Sequence, residues 1–330
     1  MKVCLYLEGG DVLSQCGIGT ALKRQETALK SAGVDYTTDP TDDYDILHTN
    51  TIGPKTLYYV SRAHKAGKKV VMHAHTLDVD TRNSFTGSNT IMPIFKEYLK
   101  FIYGKADLLL CPSPYAKGIL REYGMKQRIV PISNGVDLNT FKFSETRRKK
   151  YRKEFGLEGV VPFSVGHVFA RKGVKTFVDV AERMDNQFIW FGKIYNKFLV
   201  SSREIEEMVN NPPKNVHFTG FVDDIIAAYC AGDILFFPSL AETQGIVVLE
   251  AMAMGRPVVV RKLPVYDGWL HDGRDCLMCS NDDEFIDTIK RLEDDKTEVQ
   301  RLVKNANETI KGHSLDLIGK QLREVYESLK

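Results

Sequence analysis

The stretch Phe236–Val259, FFPSLAETQGIVVLEAMAMGRPVV, decides the fold of this chain. An apolar strand stops at Pro238, a short loop follows, and an apolar helix runs from Gly245 to Gly255. Proline interrupts strand pairing, and glycine commonly ends a helix with proline shortly beyond it, as Pro257 is here. The stretch therefore predicts a strand, a loop, a helix and a second strand, which is the repeating unit of a parallel α/β sheet.

The same alternation continues in both directions along the chain. Short apolar runs predict strands, and apolar residues at three- and four-residue spacing predict the helices between them. In the N-terminal part, strands are predicted at Lys2–Leu7, Asp45–His48, Lys69–His73, Leu108–Cys111 and Arg128–Ile132, and helices at Ile18–Ala32, Lys55–Ala66, Ile91–Tyr103 and Tyr115–Glu122. In the C-terminal part, strands are predicted at Phe163–Val165, Gln187–Phe191, Val216–Phe218, Ile234–Pro238 and Pro257–Val260, and helices at Lys172–Met184, Asp223–Cys230, Ile246–Met254, Asp282–Asp294 and Val299–Lys330. This pattern predicts doubly wound parallel sheets with helices on both faces.

The chain is long enough for two such domains. Its 330 residues are more than a domain with a single hydrophobic core usually has, and the basic segment Phe141–Gly156 separates the two series of strands. We therefore predict domains at residues 1–142 and 143–330, and leave open that the last helix crosses back to the first domain. Doubly wound domains bind ligands beyond the carboxyl ends of their strands, which we expect to face a cleft between the domains.

Composition excludes several classes of protein. The net charge of +2 gives no field that would select nucleic acid, and the apolar stretches fall short of the roughly 20 residues that a membrane span needs. Met1 and Lys2 lead directly into the first strand, so we expect no signal peptide and a cytoplasmic protein. The six cysteines are then expected to be reduced. Cys276 and Cys279 form a single C-x-x-C without a second pair, which favours buried thiols over zinc.

The first strand is followed by a glycine-containing turn that opens a helix. Glu8-Gly9-Gly10 comes directly after the strand, and Cys16-Gly17-Ile18-Gly19-Thr20 begins the helix. Such a turn suits a phosphate at the helix N-terminus, or is simply a tight connection. Because it lacks G-x-G-x-x-G and the acidic residue expected further on, it counts against a dinucleotide dehydrogenase.

Two glutamates mark the deciding stretch itself. Glu242 lies in the loop and Glu250 in the helix body, with seven residues between them. Carboxylates suit the hydroxyl groups of sugars because each accepts several hydrogen bonds, and the free N–H groups of a helix start suit a phosphate. A solvated glutamate pair is the plainer alternative, but it does not explain the proline, glycine and small residues around it.

This stretch closely resembles the signature of the retaining glycosyltransferases of family 4, which have the GT-B fold: two glutamates with seven residues between them, the second within LEAMA-x-G-x-PVV. Three further segments resemble the same family, namely Gly166–Val174, Val216–Val222 and Ser133–Asp137. The resemblance covers nearly the whole chain. It implies two facing Rossmann-like domains, with the acceptor bound by the first domain and a nucleotide sugar by the second.

The resemblance also implies roles for individual residues. Gly17 is expected to lie against the donor diphosphate, and Arg171 and Lys172 are expected to neutralise its charge. Glu242 is expected to hold the donor sugar together with Thr243, Gln244, Gly245 and Ile246, and His75 is expected to face that sugar. Glu250 is expected to bind the ribose hydroxyls, and Val222 to contact the base. His75, Lys172 and Glu242 are thus the predicted catalytic residues. His167 stands where the family usually has an arginine, which weakens one expected cation. His48 and His73 are interpreted as buried packing near His75.

The implied mechanism retains the anomeric configuration through same-face attack within an ion pair, so no enzyme nucleophile is assigned. Lys172, Arg171 and the helix N-terminus are expected to stabilise the negative charge on the leaving diphosphate. Asp78-Val79-Asp80 matches the metal-binding D-x-D of a different glycosyltransferase fold, yet it lies far in sequence from the donor motifs. We therefore expect no cofactor and no required metal, with magnesium at most stimulating, and an acceptor-side or structural role for Asp78 and Asp80.

The acceptor is the part of the predicted function that the sequence determines least. Ile91–Lys105 mixes apolar residues with lysines, which fits either a helix in an anionic bilayer interface or an ordinary domain helix, and the basic cluster Arg147–Lys153 is open to the same two interpretations. Four segments resemble bacterial synthases that extend a monoglycosyl-diacylglycerol to a diglycosyl-diacylglycerol: Leu5–Gly9, Gly17–Gly19, His48–Lys55, and His73–His75 with Arg82–Phe85 after it. This implies UDP-glucose or UDP-galactose as donor and a peripheral enzyme on the inner face of the cell membrane. The alternatives are a soluble family 4 enzyme acting on a polysaccharide intermediate or small acceptor, and a sugar-nucleotide-binding protein without catalysis.

Overall fold

The chain forms two compact α/β units. The structure, a computed structural model, describes residues 1–10, 17–81, 88–195 and 203–329. One unit comprises Met1–Asp80, Ile91–Asp137 and His313–Lys330, and the other comprises Thr81–Thr90 and Leu138–Gly312. The chain thus leaves the first unit at Asp137, a few residues before the predicted boundary, and its last segment returns to that unit.

The first unit is built on a six-stranded parallel sheet in the order β2-β1-β3-β4-β5-β6. Its strands are β1 (Lys2–Tyr6), β2 (Asp35–Thr37), β3 (Ile46–Thr49), β4 (Lys69–His73), β5 (Leu108–Cys111) and β6 (Arg128–Pro131). Its helices are α1 (Gly17–Ser31), α2 (Pro54–Lys65), α3 (Asp78–Thr81), α4 (Ser88–Tyr103) and α5 (Pro114–Glu122), and α13 (Leu315–Glu327) is added from the end of the chain. The edge strand β2 was not predicted, because its three residues form no apolar run.

The second unit repeats this plan with the parallel order β12-β11-β10-β7-β8-β9. Its strands are β7 (Pro162–Val165), β8 (Phe188–Phe191), β9 (Val216–Phe218), β10 (Ile234–Phe237), β11 (Val258–Arg261) and β12 (Leu277–Cys279). Its helices are α6 (Glu145–Phe155), α7 (Val174–Glu182), α8 (Arg203–Asn210), α9 (Ile225–Ala231), α10 (Ile246–Ala253), α11 (Asp282–Asp294) and α12 (Lys296–Lys311), with short 3-10 turns at Ala170–Lys172 and Pro264–Tyr266. The doubly wound prediction is thereby confirmed for both sheets.

Both faces of the first sheet are buried, as expected for parallel strands covered by helices. Val3 and Leu5 of β1 pack on one side with residues of α1 and α13, whereas Cys4 and Tyr6 pack on the other with α4 and α5. In the second unit a cluster of aromatic rings, including Phe177, Trp190 and Phe236, fills the core. The sheets are therefore rigid platforms for the loops that follow their strands.

The C-terminal helical region differs from its prediction. A single helix was predicted from Val299 to Lys330, but the structure breaks it at Gly312 into α12 and α13. The hydroxyl of Ser314 accepts a hydrogen bond from the Leu317 N–H and so caps the new helix. Within α13, Gly319 lies so close to the carbonyl of Ala28 in α1 that a β-carbon would not fit between them. The glycine therefore allows the last helix to pack closely against the first.

Helix α6 is attached to the second unit by its arginines. Arg148 bonds Asp233 at 2.7 Å, and Arg152 bonds the same carboxylate at 3.1 Å. Both guanidinium groups also donate to carbonyls at the end of α9, and Arg147 pairs with Asp224. Half of the basic cluster predicted from the sequence is thus engaged in holding α6 in place.

Candidate functional site

A cluster of two cations and one carboxylate lies where β7 and β10 end. Arg171 and Lys172 occupy the 3-10 turn after β7, and Glu242 lies in the loop after β10. The Lys172 Nζ lies 2.5 Å from the Glu242 Oε1, and the Arg171 guanidinium lies 3.7 Å from the same oxygen. Arg171 also donates to the Ala241 carbonyl at 3.0 Å. Three predicted site residues are therefore brought together by the structure.

The turn that carries the cations depends on Gly173. Its φ of 78° is left-handed, and a β-carbon there would run into the backbone carbonyl of Pro238. Only glycine satisfies both conditions. The close approach is reinforced by a hydrogen bond from the Leu240 N–H to the Arg171 carbonyl at 2.8 Å. The two loops that hold the cluster are thus locked to one another.

Glu242 is buried and ionised. Burial alone would raise the pKa of its carboxyl, but the charges of Lys172 and Arg171, with hydrogen bonds from Lys172 and Ser239, outweigh burial and lower this pKa below its ordinary value. Ser239 Oγ donates to Glu242 Oε1 at 2.6 Å. The sequence interpretation missed Ser239, although its position directly after the strand and Pro238 was a usable signal.

The loop after Glu242 leads into α10. Gly245 caps this helix with φ of 87°, and Gln244 beside it is buried. The hydroxyl of the buried Tyr266 lies 3.6 Å from the position of a β-carbon on Gly245. Thr243, Gln244, Gly245 and Ile246 therefore form a tight, glycine-dependent entry to the helix.

Glu250 lies in the second turn of α10 and is buried. The Tyr229 hydroxyl of α9 donates to its Oε2 at 2.5 Å. No sequence signal pointed to Tyr229, because the two residues belong to different helices and share no local motif. The tyrosine fixes the position of the Glu250 carboxylate, for which the resemblance implies binding of the ribose hydroxyls.

Val222 follows β9, next to loops that are joined through three glycines. Gly192 after β8 donates its N–H to Gly220 after β9 at 2.9 Å, and Gly166 after β7 donates to Phe191 at 2.9 Å. A β-carbon on Gly192 would run into the Gly166 carbonyl. The ends of β7, β8 and β9 therefore form one continuous edge, and Val222 is partly exposed beside it.

His167 takes an aromatic environment in place of the family's arginine. Its Nδ1 lies 3.2 Å from the Tyr195 hydroxyl, and its ring meets Phe169 and Tyr195 edge-on. Phe169 and Tyr195 stack on each other at 5.1 Å. The position therefore contributes ring contacts, and the cations nearby include Arg171 and Lys172 after β7 and Lys193 after β8, which lies over the Tyr195 ring.

In the first unit, Glu8 joins the loops after β1 and β3. Its carboxylate accepts hydrogen bonds from the N–H of Thr56 at 2.8 Å and of Lys55 at 3.2 Å, and so caps α2. A β-carbon on Gly53 would collide with this carboxylate. The resemblance of Leu5–Gly9 and His48–Lys55 to one subfamily thus corresponds to a physical contact between the two segments.

Gly17 begins α1 and is exposed. Among the described residues, no atom lies within 4 Å of the position that its β-carbon would take, and its φ is not among the positive values. Cys16 and the segment Arg82–Phe85, which also carried the resemblance, lie outside the described residues.

His75, two residues after β4, stacks in a row with two histidines of the sheet, His73 at the end of β4 and His48 in β3. The rings of His73 and His75 stack with centroids 3.9 Å apart, and His48 stacks on His73 at 5.7 Å. His48 and His73 are buried, whereas His75 is partly exposed. Burial lowers the pKa of His48 and of His75 to about 3, so both rings are neutral at physiological pH. The interpretation of His48 and His73 as buried packing agrees with this arrangement.

Asp78 and Asp80 have structural contacts in α3. The Tyr123 hydroxyl donates to Asp78 Oδ1 at 2.6 Å, and the Leu77 N–H donates to Asp80 Oδ2 at 3.2 Å. Within the described ranges, no group of three histidine, cysteine or carboxylate side chains is arranged to hold a metal ion. Cys276 and Cys279 are buried thiols, and burial raises the pKa of Cys279 to about 11.

Helix α4 presents large apolar side chains to solvent. Ile94 is 78% exposed, Phe101 54% and Ile91 48%, while Leu99 and Ile102 of the same helix are buried in the core. Lys105 lies over the Phe101 ring at 4.8 Å, and Lys100 pairs with Glu97. Helix α4 therefore has exposed apolar side chains in addition to those that are buried in the core of its unit. None of the described helices has the length and hydropathy needed to span a membrane.

Two Rossmann-like sheets, with paired cations and a carboxylate at the strand ends of the second, define the class of GT-B glycosyltransferases. A family model described as glycosyl transferases group 1 matches residues 160–295, and one described as glycosyltransferase family 4 matches residues 36–140. A processive diacylglycerol alpha-glucosyltransferase of Acholeplasma laidlawii is 37% identical over 338 residues, covering 100% of this chain and 98% of that protein. The chain belongs to glycosyltransferase family 4.

A further relative is similar in sequence, and two solved structures share the fold. An alpha-galactosylglucosyldiacylglycerol synthase of Streptococcus pneumoniae is 27% identical over 237 residues, which are 67% of this chain and 61% of that protein. Anabaena HepE, solved in complex with UDP-glucose, superimposes with a TM-score of 0.78 at 19% identity, covering 99% of this chain and 100% of that one. Sucrose-phosphate synthase of Thermosynechococcus elongatus gives a TM-score of 0.80 at 19% identity, covering 100% and 99%.

Proposed function

We propose that the protein is a retaining α-glycosyltransferase that moves glucose, or galactose, from a UDP-sugar to a monoglycosyl-diacylglycerol and so forms a diglycosyl-diacylglycerol. The observation that carries this proposal is the cluster of Lys172 and Arg171 around the buried Glu242, held by Gly173 at the strand ends of a family 4 chain. The name of the Acholeplasma relative supports a diacylglycerol-based acceptor and favours glucose as the sugar.

The donor site is proposed in the second unit. Arg171 and Lys172 supply positive charge for a diphosphate, and the N-terminus of α10 adds the partial charge of its free N–H groups. Glu242 and the Thr243–Ile246 backbone hold the sugar, Glu250 the ribose hydroxyls, and Val222 the base. Gly17 of the first unit is proposed to lie against the diphosphate. The UDP-glucose complex of HepE supports a UDP-sugar for this fold.

The chemistry proposed for these residues is electrostatic. When the anomeric C–O bond breaks, the electron pair leaves with the diphosphate, and Lys172 and Arg171 stabilise that charge. The acceptor hydroxyl attacks the same face of the short-lived ion pair and loses its proton to the departing phosphate oxygen. His75, neutral in the folded protein, contributes a hydrogen bond to the sugar. No enzyme nucleophile and no metal ion take part in the proposed reaction.

The acceptor is proposed to be taken from an anionic membrane surface on the inner face of the cell membrane. The exposed apolar residues of α4 would enter the interface while Lys96, Lys100 and Lys105 remain near the headgroups. Several relatives bear the names of glycolipid synthases, which supports a lipid acceptor.

The decisive experiment measures UDP release from UDP-glucose and from UDP-galactose. The acceptors are diacylglycerol, glucosyl-diacylglycerol and free glucose, each in neutral and in anionic mixed micelles. Turnover that requires glucosyl-diacylglycerol and anionic lipid, and that survives a chelator, supports the proposal. Turnover with free glucose alone would move the acceptor to the alternative class of non-lipid substrates, and loss of activity with chelator would refute metal independence.

A further inference from the structure

The loops after β3 and β4 hold His75 from two directions. Asn50 directly follows β3, and its Oδ1 lies 2.9 Å from the Nε2 of His75. The ring of His73 lies parallel to that of His75, with 11° between their planes. Asn50 is itself almost fully buried, and its backbone N–H donates to the Tyr6 carbonyl at 2.9 Å. The partner of the imidazole is therefore fixed by the sheet.

The hydrogen bond determines which nitrogen of His75 carries the proton. An amide oxygen only accepts hydrogen bonds, so the Nε2 facing it must be the donor. A neutral imidazole has one protonated nitrogen, which leaves Nδ1 with a lone pair. The ring of His75 is partly exposed, although its neighbours His48 and His73 are buried.

The stacked rings are anchored in the same way. The Nε2 amide group of Gln25 on α1 lies 3.0 Å from the His73 Nδ1, within hydrogen-bonding distance of that nitrogen. His48 Nδ1 bonds the Tyr326 hydroxyl of α13 at 2.6 Å. Among the described residues, these contacts place the neutral His73 and His48 next to His75 and, beyond them, the buried Tyr326. Burial and the neighbouring imidazoles lower the pKa of His73 well below its usual range.

We propose that Asn50 is a positioning residue: with the stacked ring of His73 it fixes His75 as the neutral Nε2–H tautomer, so that Nδ1 accepts a hydrogen bond from a sugar hydroxyl. The part concerning the sugar rests on the proposed function, whereas the tautomer does not. This inference explains why a polar side chain is buried directly behind a partly exposed histidine.

The first test is NMR of the full-length protein with 15N-labelled histidine, in which His75→Gln assigns the resonances of His75. The wild type is expected to show a protonated Nε2 and an unprotonated Nδ1 from pH 6 to 8. Asn50→Ala should lose this preference and populate both tautomers. Thr49→Val is the control, because Thr49 is the buried neighbour and its hydroxyl has no partner among the described residues. A protonated Nδ1 in the wild type, or an unchanged tautomer in Asn50→Ala, would overturn the proposal.

The second test uses Asn50→Asp, since a carboxylate at this position stabilises the imidazolium and raises the pKa of His75. Below that new pKa, both nitrogens are donors, so kcat/KM for the UDP-sugar should fall about tenfold or more. Above it, the carboxylate accepts from Nε2–H and activity should return, whereas a purely structural defect would not recover with pH. Absence of this recovery contradicts the positioning role. If the wild type turns over no UDP-sugar but shows the Nε2–H tautomer, the proposed function fails and the positioning of His75 stands.

Discussion

Glu242 illustrates how one buried charge depends on its partners. Moving a carboxylate out of water is costly unless cations and hydrogen bonds replace the lost solvent. Lys172, Arg171 and Ser239 supply that replacement on a single oxygen, Oε1. Removing Glu242 would leave two cations close together, and removing Lys172 would leave the carboxylate with Arg171 and Ser239. The arrangement therefore serves to hold positive charge at a defined point.

Replacing Lys172 by methionine or Glu242 by alanine should lower turnover about 100-fold or more, because each change removes a charged contact at the reacting centre. The measurement is the initial rate of UDP release with glucosyl-diacylglycerol. Lys175→Met is the matched control, since Lys175 lies three residues further on and is exposed on α7. Near-normal rates in the Lys172 and Glu242 variants would refute the proposed donor site.

The buried histidines predict how stability depends on pH. The pKa of His48 falls from 6.5 to about 3 in the folded protein, so between these values unfolding takes up a proton. Stability is therefore full above pH 6.5 and declines as the pH falls, by about 1.4 kcal/mol per pH unit for each such histidine. Urea unfolding of the wild type and of His48→Asn from pH 5 to 6.5 should show a smaller slope in the variant, by about half a proton at pH 6.5 and about one proton at pH 5. Equal slopes would contradict the buried, neutral state of His48.

At the scale of elements, α4 has apolar side chains on two sides, and the described residues of the protein cover only one of these sides. Replacing Ile94 and Phe101 by glutamine should reduce binding to anionic vesicles about tenfold or more, because burying one large apolar side chain contributes about 1.5–3 kcal/mol. Co-sedimentation measures the effect. Leu317→Gln, a partly exposed apolar residue on α13, is the control. Unchanged binding of the α4 double variant would exclude this helix as the membrane contact.

Helix α6 shows where charge patterns mislead. Its cluster of arginines and lysines was open to interpretation as a basic surface, but Arg148 and Arg152 lie against Asp233 and the end of α9. A sequence gives the charge of each residue but not the residue with which it pairs, and Asp233 lies about 80 residues further along the chain than these arginines. Lys149, Lys150 and Lys153 remain on the outer side of the helix as its solvent-facing cations.

Sequence predicted the strands with a clear apolar run, such as the central strands β4 and β5, and also the edge strands β6 and β9. The edge strands β2 and β12 and the helix α8 were missed, because β2 and α8 are polar and the apolar run of β12 is only three residues long. Within the site, the glutamates and Lys172 were predictable because they lie in local motifs. Ser239 had a weaker signal, Asn50 lay in the segment His48–Lys55 without being assigned a role, and Tyr229 had no signal, because hydrogen bonds between distant segments leave no local pattern.

At the scale of the whole molecule, the first unit is assembled from both ends of the described chain. Gly319→Ala should lower the free energy of unfolding by about 1–3 kcal/mol, because its β-carbon would meet the Ala28 carbonyl. Gly118→Ala is the opposite case: Gly118 is an exposed helical glycine of α5, and among the described residues nothing lies within 4 Å of its β-carbon position. That change should stabilise the protein by about 0.5–1 kcal/mol. Urea unfolding measures both, and equal effects would contradict the close packing of α13 on α1.

The return of His313–Lys330 to the first unit also sets an order for folding during synthesis. Domains usually fold from the N-terminus as the ribosome releases them. Here the first sheet emerges early but lacks α13, whose Leu315, Ile318, Leu322 and Tyr326 cover one of its faces, until translation has passed the whole of the second unit. During translation the N-terminal half is therefore expected to expose this apolar surface until α13 has been synthesised. The segment Leu138–Gly312 is expected to complete its own sheet before that point. A nascent chain stalled after Gly312 should accordingly be a client for chaperones through its N-terminal half.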